Sequence, residues 1–500
     1  MNNERDPDFL ESRNLLASDS PNSSTNPVSN QESIEMPQPV DRLNAVYFFF
    51  YMIGLGTLLP WNFFITANEY WMFKLQDKNS TNSTPIPQNF TSGNTTASPP
   101  GSTADYNSLQ LLFQNALALC AMLPNVVFQL LNTVLQQRIS EKTRMVTSLL
   151  IMNLCFVVTV VFVKIDTSSW QQLFFGLTML IVVIVNCCSA ICQSSVFGMA
   201  ASLPPRYTQA VMAGQGMGGV FAALAMIATL SFSTGPTSSA FAFFLTAVIV
   251  LSLTLLCYII LAKNKFYRYH RGKTFRRNST KNRSQKALVI NENKPDHTRA
   301  NVCVESDEDK PLSHNGTTVK PVPPMWIIFK KIWLHCFCVF FTFFVTLACF
   351  PAITVNIKSM STGHLWNDVY FTPVCCFLMF NLTDWLGRSI AGYIHIPSEK
   401  SRIALLISVL IRGVFPALFA LCNMQPRNAP VIFTNDAYYI VFMVLFGLSN
   451  GHLSTLCMQY GPKLVTSENA GTAGSMLAFS LCLGLASGAG FSFVLKMIIT

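Results

Sequence analysis

About eleven apolar stretches, each near the ~20 residues that a helix needs to cross a lipid bilayer, dominate this chain. Only 12% of the 500 residues are charged, whereas a soluble domain carries about 25%. Hydrophobic residues make up 51% of the chain, and the longest apolar runs are collected in these stretches. The chain is therefore predicted to be an all-α polytopic membrane protein.

The predicted spans fall into a group of six and a group of five, separated by a long polar segment. The first group comprises Val46–Thr66, Leu109–Leu131, Met145–Val163, Leu173–Met199, Ala210–Phe232 and Ser239–Leu261. The second comprises Ile332–Val355, Phe371–Ile394, Ile403–Cys422, Ala437–Tyr460 and Gly471–Ile499. We therefore predict a tail (1–45), a six-helix bundle (46–262), a polar loop (263–331) and a five-helix bundle (332–500).

Two loops predict the same orientation of the spans. The loop over residues 67–108 carries four N-x-[ST] sequons, at Asn79, Asn82, Asn89 and Asn94, and sequons are used only outside the cytosol. The loop over residues 263–331 opens instead with a basic run, and basic residues beside a span mark the cytosolic side. The N-terminus and the long loop are thus predicted in the cytosol, and the C-terminus outside.

The net charge of +10 does not predict a nucleic-acid partner, because many of the basic residues follow directly after a span. That run either marks topology alone or also contacts anionic lipid of the bilayer, which attracts basic juxtamembrane segments. The 15 cysteines lie almost wholly within spans and lack metal-ligand spacing. We predict no disulfide framework, no metal site and no cofactor.

The N-terminal tail is rich in Ser, Asn and Pro, which predicts disorder. It contains one short sorting pattern, in which Glu11 lies four residues before the pair Leu15 and Leu16. Such acidic dileucine patterns arise often by chance. If this one is functional, it would recruit clathrin adaptors and direct the protein to endosomes or lysosomes.

Asp384 and Arg388 are charges within the predicted span Phe371–Ile394, four residues apart, so a helix places both on one face. A charge near the bilayer centre costs at least ~2.5–3.5 kcal/mol, so two side by side need a reason. One hypothesis is a structural ion pair that ties this helix to a neighbour. The other, which we favour, is a polar substrate site that faces a water-filled cavity.

Two further spans carry polar residues that suit a ligand cavity. Trp61 and Asn62 follow Pro60 in the first span. A Trp alone is typical of a membrane interface, but the Asn beside it favours a broken helix that contacts a ligand. Gln193, deep in the fourth span, bonds either another helix or the edge of a heterocycle, since an amide both donates and accepts.

The helix of Asp384 also carries Asn381, one turn earlier, which extends its polar face. Phe350 and Phe377 could supply apolar walls. Glycines within spans are predicted to let helices pack closely; these are Gly218, Gly219, Gly488 and Gly490. For Gly214, close packing and a part in gating or substrate approach remain equal alternatives.

No catalytic pattern is evident in the sequence. Four histidines are scattered through the second half without an H-E-x-x-H motif; they are His335, His364, His395 and His452. A phosphate-binding G-x-x-x-x-G-K-[ST] loop is also missing, which argues against direct coupling to ATP. The chain is therefore predicted not to be an enzyme.

Seven strings resemble the equilibrative nucleoside transporter family, solute carrier family 29. They are LGTLLPWNFFITA, CAMLP, GQGMGGVFAALAM, FPAITV, FNLTDWLGRS, LSNGHLSTLCMQYGPK and AFSLCLGLASGAGFSF. The resemblance covers nearly all of the membrane region and includes the six-plus-five division. The tail and the two long loops lie outside it.

The resemblance implies facilitated diffusion of purine and pyrimidine nucleosides, such as adenosine and uridine, with nucleobases as a further class to test. It implies alternating access on a fold similar to the major facilitator superfamily. At matching positions Trp61 packs over the nucleoside and Gln193 bonds the base. Asp384 and Arg388 engage the ribose region, with Asn62 and Asn381 nearby. The implied walls and gates are Leu58, Met122, Phe350, Phe377 and Leu485.

The expected location is the plasma membrane, because most of the core resembles the plasma-membrane members. The dileucine and the segments Glu69–Lys74 and Val163–Trp170 are more similar to the lysosomal member, so a late endosomal or lysosomal membrane is the alternative. Proton-coupled nucleoside export is the matching alternative function. An organic-cation carrier is a weaker alternative, because Arg388 already neutralises Asp384.

Overall fold

A computed structural model describes residues 39–76, 108–136, 138–232, 235–270, 325–361, 363–425 and 431–499. The predicted sorting motif, the four sequons and most of the 263–331 loop lie outside these residues. Within them the regular secondary structure is helical, apart from an isolated β-bridge between Ile357 and Met424.

Among the described residues, the first half contains seven α-helices: α1 Ala45–Thr66, α2 Asn68–Lys74, α3 Ser108–Leu135, α4 Glu141–Lys164, α5 Gln171–Ala201, α6 Pro205–Phe232 and α7 Pro236–Lys263. The second half contains α8 Met325–Cys349, α9 Met379–Ile390, α10 Arg402–Ile411, α11 Phe415–Ala420, α12 Asp436–Tyr460 and α13 Ala470–Ile499. Two π-helical segments, Trp366–Tyr370 and Thr372–Leu378, lead into α9, and α10 and α11 form one span.

Among the described residues, ten helices are long and apolar enough to cross a membrane. The 28-residue helix α3 contributes a shorter apolar stretch, Leu119–Leu135. With α3 counted, six helices of the described part come before the 263–331 loop and five after it, so the predicted all-α, six-plus-five fold is confirmed.

Several helices extend beyond the predicted spans at their predicted cytosolic ends. Helix α4 begins at Glu141 because Ser140 caps it, its Oγ accepting from the Thr143 N–H at 3.1 Å. Hydropathy marks only the part that suits hydrocarbon, whereas helical hydrogen bonding continues into the polar interface. Helix α8, in contrast, ends at Cys349, before the predicted Val355, because Pro351 has no N–H for the next turn.

The start of the predicted first loop is helical and packed. In α2, Trp71 is fully buried, and its Nε1 donates to the Phe64 carbonyl oxygen at 3.0 Å. The Trp71 indole stacks on the rings of Phe64 and Phe113, with centroid distances of 5.7 and 5.5 Å. These contacts tie α2 to α1 and α3, which hydropathy alone could not indicate.

Glycines set the closest helix pairs. A Cβ at Gly214 of α6 would collide with the Tyr51 carbonyl oxygen of α1, and one at Gly488 of α13 with that of Phe344 on α8. Close packing is therefore the explanation for both glycines. The same prediction for Gly490 is wrong, because a Cβ there would meet nothing within 4 Å.

The two halves meet along α3, α5 and α6 of the first half and α9, α12 and α13 of the second. Helix α1 packs against α6, and helix α8 packs against α13, so α1 and α8 flank the interface. A cavity lies between the halves, and every residue of the candidate site lines it.

Candidate functional site

An ion pair on α9 forms the polar end of this cavity. Arg388 Nε donates to Asp384 Oδ2 at 2.8 Å, as the spacing of four residues predicts, and each residue is only 5% exposed. Arg388 Nη1 also donates to the Met212 carbonyl oxygen of α6 at 3.1 Å. The pair thus ties the two halves together and also lines the cavity, so both hypotheses for it keep a geometric basis.

Sequence reasoning missed the partners of Asp384 on the neighbouring helices. Asn450 of α12 donates from Nδ2 to Asp384 Oδ1 at 2.7 Å, so both carboxylate oxygens are engaged. Thr346 of α8 donates to Asn450 Oδ1 at 2.7 Å. Both residues line the cavity. Short polar side chains are common in membrane helices, so the sequence alone does not show that these two residues meet Asp384.

Arg412 extends this network behind the cavity wall. It is 1% exposed, and its Nη2 donates to Thr346 Oγ1 at 2.9 Å while Nη1 donates to the Phe446 carbonyl oxygen at 2.9 Å. Its guanidinium also lies 4.9 Å from the centre of the Phe446 ring. The cluster therefore holds one carboxylate, from Asp384, and two guanidinium groups. Arg412 is a charged residue inside the predicted span Ile403–Cys422, and this signal could have identified it from the sequence.

The cavity has a volume of about 910 Å³ and brings together all eleven residues that the sequence placed in the substrate site. The polar members are Trp61, Asn62, Gln193, Asn381, Asp384 and Arg388. The wall members are Leu58, Met122, Phe350, Phe377 and Leu485. Residues from ten of the helices contribute, so the cavity exists only when both halves are assembled.

Gln193 and Asn381 each combine a structural contact with a place on the cavity surface. Gln193 Oε1 accepts from the Cys482 thiol of α13 at 3.2 Å, which crosses the interface between the halves. Asn381 Nδ2 donates to the Phe377 carbonyl oxygen at 2.8 Å, and its side chain fills the space that Gly219 leaves open. Gln193 therefore forms the predicted interhelical bond and still faces the cavity.

Aromatic rings form the wall opposite α1. Phe350 stacks on Phe380 with a centroid distance of 4.1 Å and meets Phe377 edge to face at 5.7 Å. Trp61 and Asn62 also line the cavity, and a Cβ at Gly218 would lie 3.4 Å from Asn62 Nδ2, in ordinary van der Waals contact. The lining thus combines aromatic rings, amide groups and a charged pair.

The cavity is closed toward the predicted cytosolic side. There Gln209 of α6 accepts from the Tyr47 hydroxyl of α1 at 2.9 Å and donates to the Arg388 carbonyl oxygen at 3.2 Å. Trp385 Nε1 of α9 donates to the Tyr51 hydroxyl at 3.2 Å. In the other direction the lining continues to residues at the predicted extracellular ends of α1, α6 and α7, namely Ile65, Leu230 and Pro236. On the predicted orientation of the spans, the described lining therefore reaches the extracellular ends of these helices, and the contacts of Gln209 and Trp385 lie on the cytosolic side.

Comparison with known proteins gives the following matches. A family model described as "Nucleoside transporter" matches residues 178–497. Equilibrative nucleoside transporter 1 of Homo sapiens is 40% identical over 463 residues, which are 92% of this chain and 99% of that protein. Equilibrative nucleoside transporter 2 of Mus musculus is 36% identical, with the same two shares covered. Equilibrative nucleoside transporter 3 of Rattus norvegicus is 35% identical and covered to 90%.

Among solved structures, the fucose:proton symporter of E. coli aligns with a TM-score of 0.46 and 8% identity. That alignment covers 91% of this chain and 98% of the symporter.

Proposed function

This chain belongs to the nucleoside transporter family, and on that premise we propose that it carries purine and pyrimidine nucleosides across a membrane by facilitated diffusion. The observation that carries the proposal is the single 910 Å³ cavity around Asp384, Arg388, Gln193 and Trp61. A nucleoside has a flat heterocyclic base and a polyhydroxylated sugar. This cavity is lined by apolar aromatic rings, which suit the heterocycle, and by a charged pair, which suits the sugar. Transport leaves the solute chemically unchanged, so no enzymatic step is part of the proposal.

The base of the nucleoside would lie in the cavity beside Trp61 and the aromatic rings, where Gln193 can bond a heterocycle edge. The ribose would lie toward Asp384 and Arg388, whose carboxylate and guanidinium accept from and donate to hydroxyl groups. Asn62 and Asn381 flank the polar end. The residues Leu58, Met122, Phe350, Phe377 and Leu485 would exclude water around the base. Support comes from the position of all these side chains on one cavity surface.

Transport requires the cytosolic closure to open. The Gln209 contact to the Arg388 carbonyl oxygen and the Trp385–Tyr51 contact join α9 to the first half, and both would break as the halves rock about the central site. Because α9 also carries Asp384 and Arg388, substrate at the ion pair would act on the helix that closes the exit.

Uptake into proteoliposomes tests the proposed function. Purified protein should carry labelled uridine and adenosine down their gradients in both directions, with similar initial rates at pH 5.5 and pH 7.4. Empty liposomes, and protein liposomes given a labelled sugar, serve as controls. Uptake that rises steeply at one pH with an imposed proton gradient would support the proton-coupled alternative. Preference for an organic cation over uridine would support the cation carrier, and no flux of any nucleoside would refute the proposal.

Glycosylation tests the predicted orientation of the spans. Replacing Asn79, Asn82, Asn89 and Asn94 by Gln together should abolish the glycosidase-sensitive mass shift of the expressed protein, because only sequons outside the cytosol are used. Gel mobility before and after glycosidase treatment measures this. The control is the double variant Asn278→Gln and Asn282→Gln, in the predicted cytosolic loop, which should keep the full shift. A shift that survives in the quadruple variant would overturn the topology.

The plasma membrane is the proposed location of this multi-pass protein, with the late endosome or lysosome as the alternative. The proposal rests on the resemblance of the core, whereas the motif at Glu11, Leu15 and Leu16 supports the alternative through clathrin adaptors. Surface biotinylation of the intact chain beside a Leu15→Ala, Leu16→Ala variant distinguishes them. Equal surface fractions would support the plasma membrane without adaptor sorting.

A further inference from the structure

A second cavity lies at the predicted cytosolic end of the second half, where α8 and α10 meet the turn after α12. It has a volume of about 310 Å³ and is lined by Lys330, Lys331, Trp333, Leu334, His335, Arg402 and Leu464. It shares no lining residue with the central cavity. Its volume is roughly ten times the ~30 Å³ share of one water molecule in the liquid, so a group larger than water fits.

The charge around this cavity is strongly positive. Lys330, Lys331 and Arg402 are exposed, and within the described part of the chain no ion pair joins any of them to a carboxylate. The acidic group near this cavity, Glu399, is paired with Lys463. Three basic residues therefore line one cavity, and none of them has an acidic partner among the described residues.

His335 adds a buried polar side chain to the lining of this cavity. It is only 2% exposed, it lines the cavity, and its Nδ1 has no hydrogen-bond partner among the described residues. Buried polar atoms are normally satisfied, so an unpartnered one requires an explanation. A ligand oxygen in the cavity would provide the partner, with Nδ1 donating to it in the appropriate tautomer.

Exposed tryptophans place this cavity at the level of lipid headgroups. Trp333, which forms part of its wall, is 54% exposed, and Trp326 two turns earlier on α8 is 63% exposed. Trp is enriched at membrane–water interfaces, where its ring lies among the headgroups. The cavity is therefore accessible from the cytosolic leaflet, which carries the anionic lipids of a cell membrane.

We propose that this cavity binds the phosphate group of an anionic lipid headgroup from the cytosolic leaflet. Lys330, Lys331 and Arg402 would neutralise the phosphate charge, and basic pockets between helices on this side suit such headgroups. His335 would donate to a phosphate oxygen, while Trp333 contacts the upper part of the acyl chains. The inference does not depend on which solute the central cavity carries.

The test measures binding of a water-soluble, short-chain phosphatidylinositol bisphosphate to the purified full-length protein in detergent, by microscale thermophoresis. Removing three charges with Lys330→Gln, Lys331→Gln and Arg402→Gln should weaken binding at least about tenfold, because each basic side chain near an anionic lipid contributes several-fold. The matched control is Arg138→Gln, Lys142→Gln and Lys265→Gln, which removes two lysines and one arginine from exposed sites on the other half. The control should bind as the unmodified protein does.

Parallel titrations identify the source of the phosphate. Short-chain phosphatidylcholine, inositol trisphosphate and inorganic phosphate should each bind at least about tenfold more weakly than the anionic lipid, because they lack either the net charge or the acyl chains. Equal weakening by the pocket and control triples would show diffuse charge attraction and overturn the site. Equally tight binding of inositol trisphosphate or inorganic phosphate would show a soluble ligand and overturn the lipid assignment.

Discussion

Replacing Asp384 by Asn, or Arg388 by Lys, is expected to leave a folded protein that has lost most of its uridine uptake. The carboxylate of Asp384 binds Arg388 at 2.8 Å and Asn450 at 2.7 Å, and an amide keeps its shape without its charge. A hydrogen bond to a charged group contributes ~1.5–3 kcal/mol, so a loss of roughly ten- to hundredfold in uptake is expected if the ribose uses this group. Lysine at 388 keeps the charge but loses the planar fork that holds a carboxylate and a ligand together.

These conservative changes are chosen because truncation would confuse folding with binding. Removing one member of a buried pair leaves the other charge unpaired, at ~3–5 kcal/mol, so alanine variants could fail to assemble. Expression level and melting temperature in detergent establish that each variant is folded. Glu399→Gln, in the exposed pair with Lys463, is the matched control, because exposed ion pairs contribute little and its uptake should stay normal.

The analogue 2′,3′-dideoxyuridine distinguishes ribose contact from a general defect. It lacks the hydroxyl groups that Asp384 and Arg388 are proposed to bind, so its uptake should fall less than that of uridine in both variants. If folded Asp384→Asn transports uridine normally, the pair is structural and the site assignment on α9 is wrong. Equal losses for uridine and the analogue would point to the cytosolic closure instead of the ribose site.

Gly451→Ala is expected to be the most destabilising glycine-to-alanine substitution in the second half. A Cβ at Gly451 of α12 would overlap the Asp384 carbonyl oxygen and lie 2.8 Å from the Arg388 backbone nitrogen, so α9 and α12 must separate. Overpacking costs ~1–3 kcal/mol, occasionally more, and here the obstacle is backbone that cannot rotate away. The shift would also lengthen the Asn450–Asp384 bond next to it, so uptake should be lost together with stability.

The matched control for this change is Gly490→Ala on α13. The substitution is chemically identical, but a Cβ at Gly490 meets nothing within 4 Å, and alanine favours a helix by ~1 kcal/mol over glycine. Thermal unfolding in detergent and uridine uptake should be unchanged or slightly improved. A Gly451→Ala protein that melts and transports like the control would show that the α9–α12 approach is looser than the structure describes.

Much of the fold could be predicted because hydrocarbon imposes a simple rule on sequence. A helix needs ~20 apolar residues to cross, so span positions such as Ala437–Tyr460 differ by one residue from the observed α12, Asp436–Tyr460. The errors occur where that rule does not apply. Helix α2, which packs through Trp71, is too short to span a bilayer and was not predicted. Helix α8 begins before its predicted span, because its first turns, which carry Lys330 and Lys331, lie beyond the apolar core.

The candidate site divides in the same way. Charges inside a span are costly, so Asp384 and Arg388 stand out from the sequence alone, and their spacing on one helix face predicts the 2.8 Å contact between them. Asn62 and Gln193 stand out for the same reason, as polar groups in apolar surroundings. Which of these residues share a cavity is not a property of any one helix. Joining them requires the pairing of ten helices from both halves.

Asn450 and Thr346 show what depends on that pairing. Each is a small polar residue that a membrane helix tolerates, and neither has a local pattern that distinguishes a ligand contact from an interhelical bond. They become part of the site because Gly387 and Gly451 let α9 and α12 touch, which brings Asn450 to within 2.7 Å of Asp384. The span count and the charged pair follow from the cost of placing single residues in hydrocarbon. The cavity and the set of side chains that line it follow from contacts between residues far apart in the chain, which no local pattern encodes.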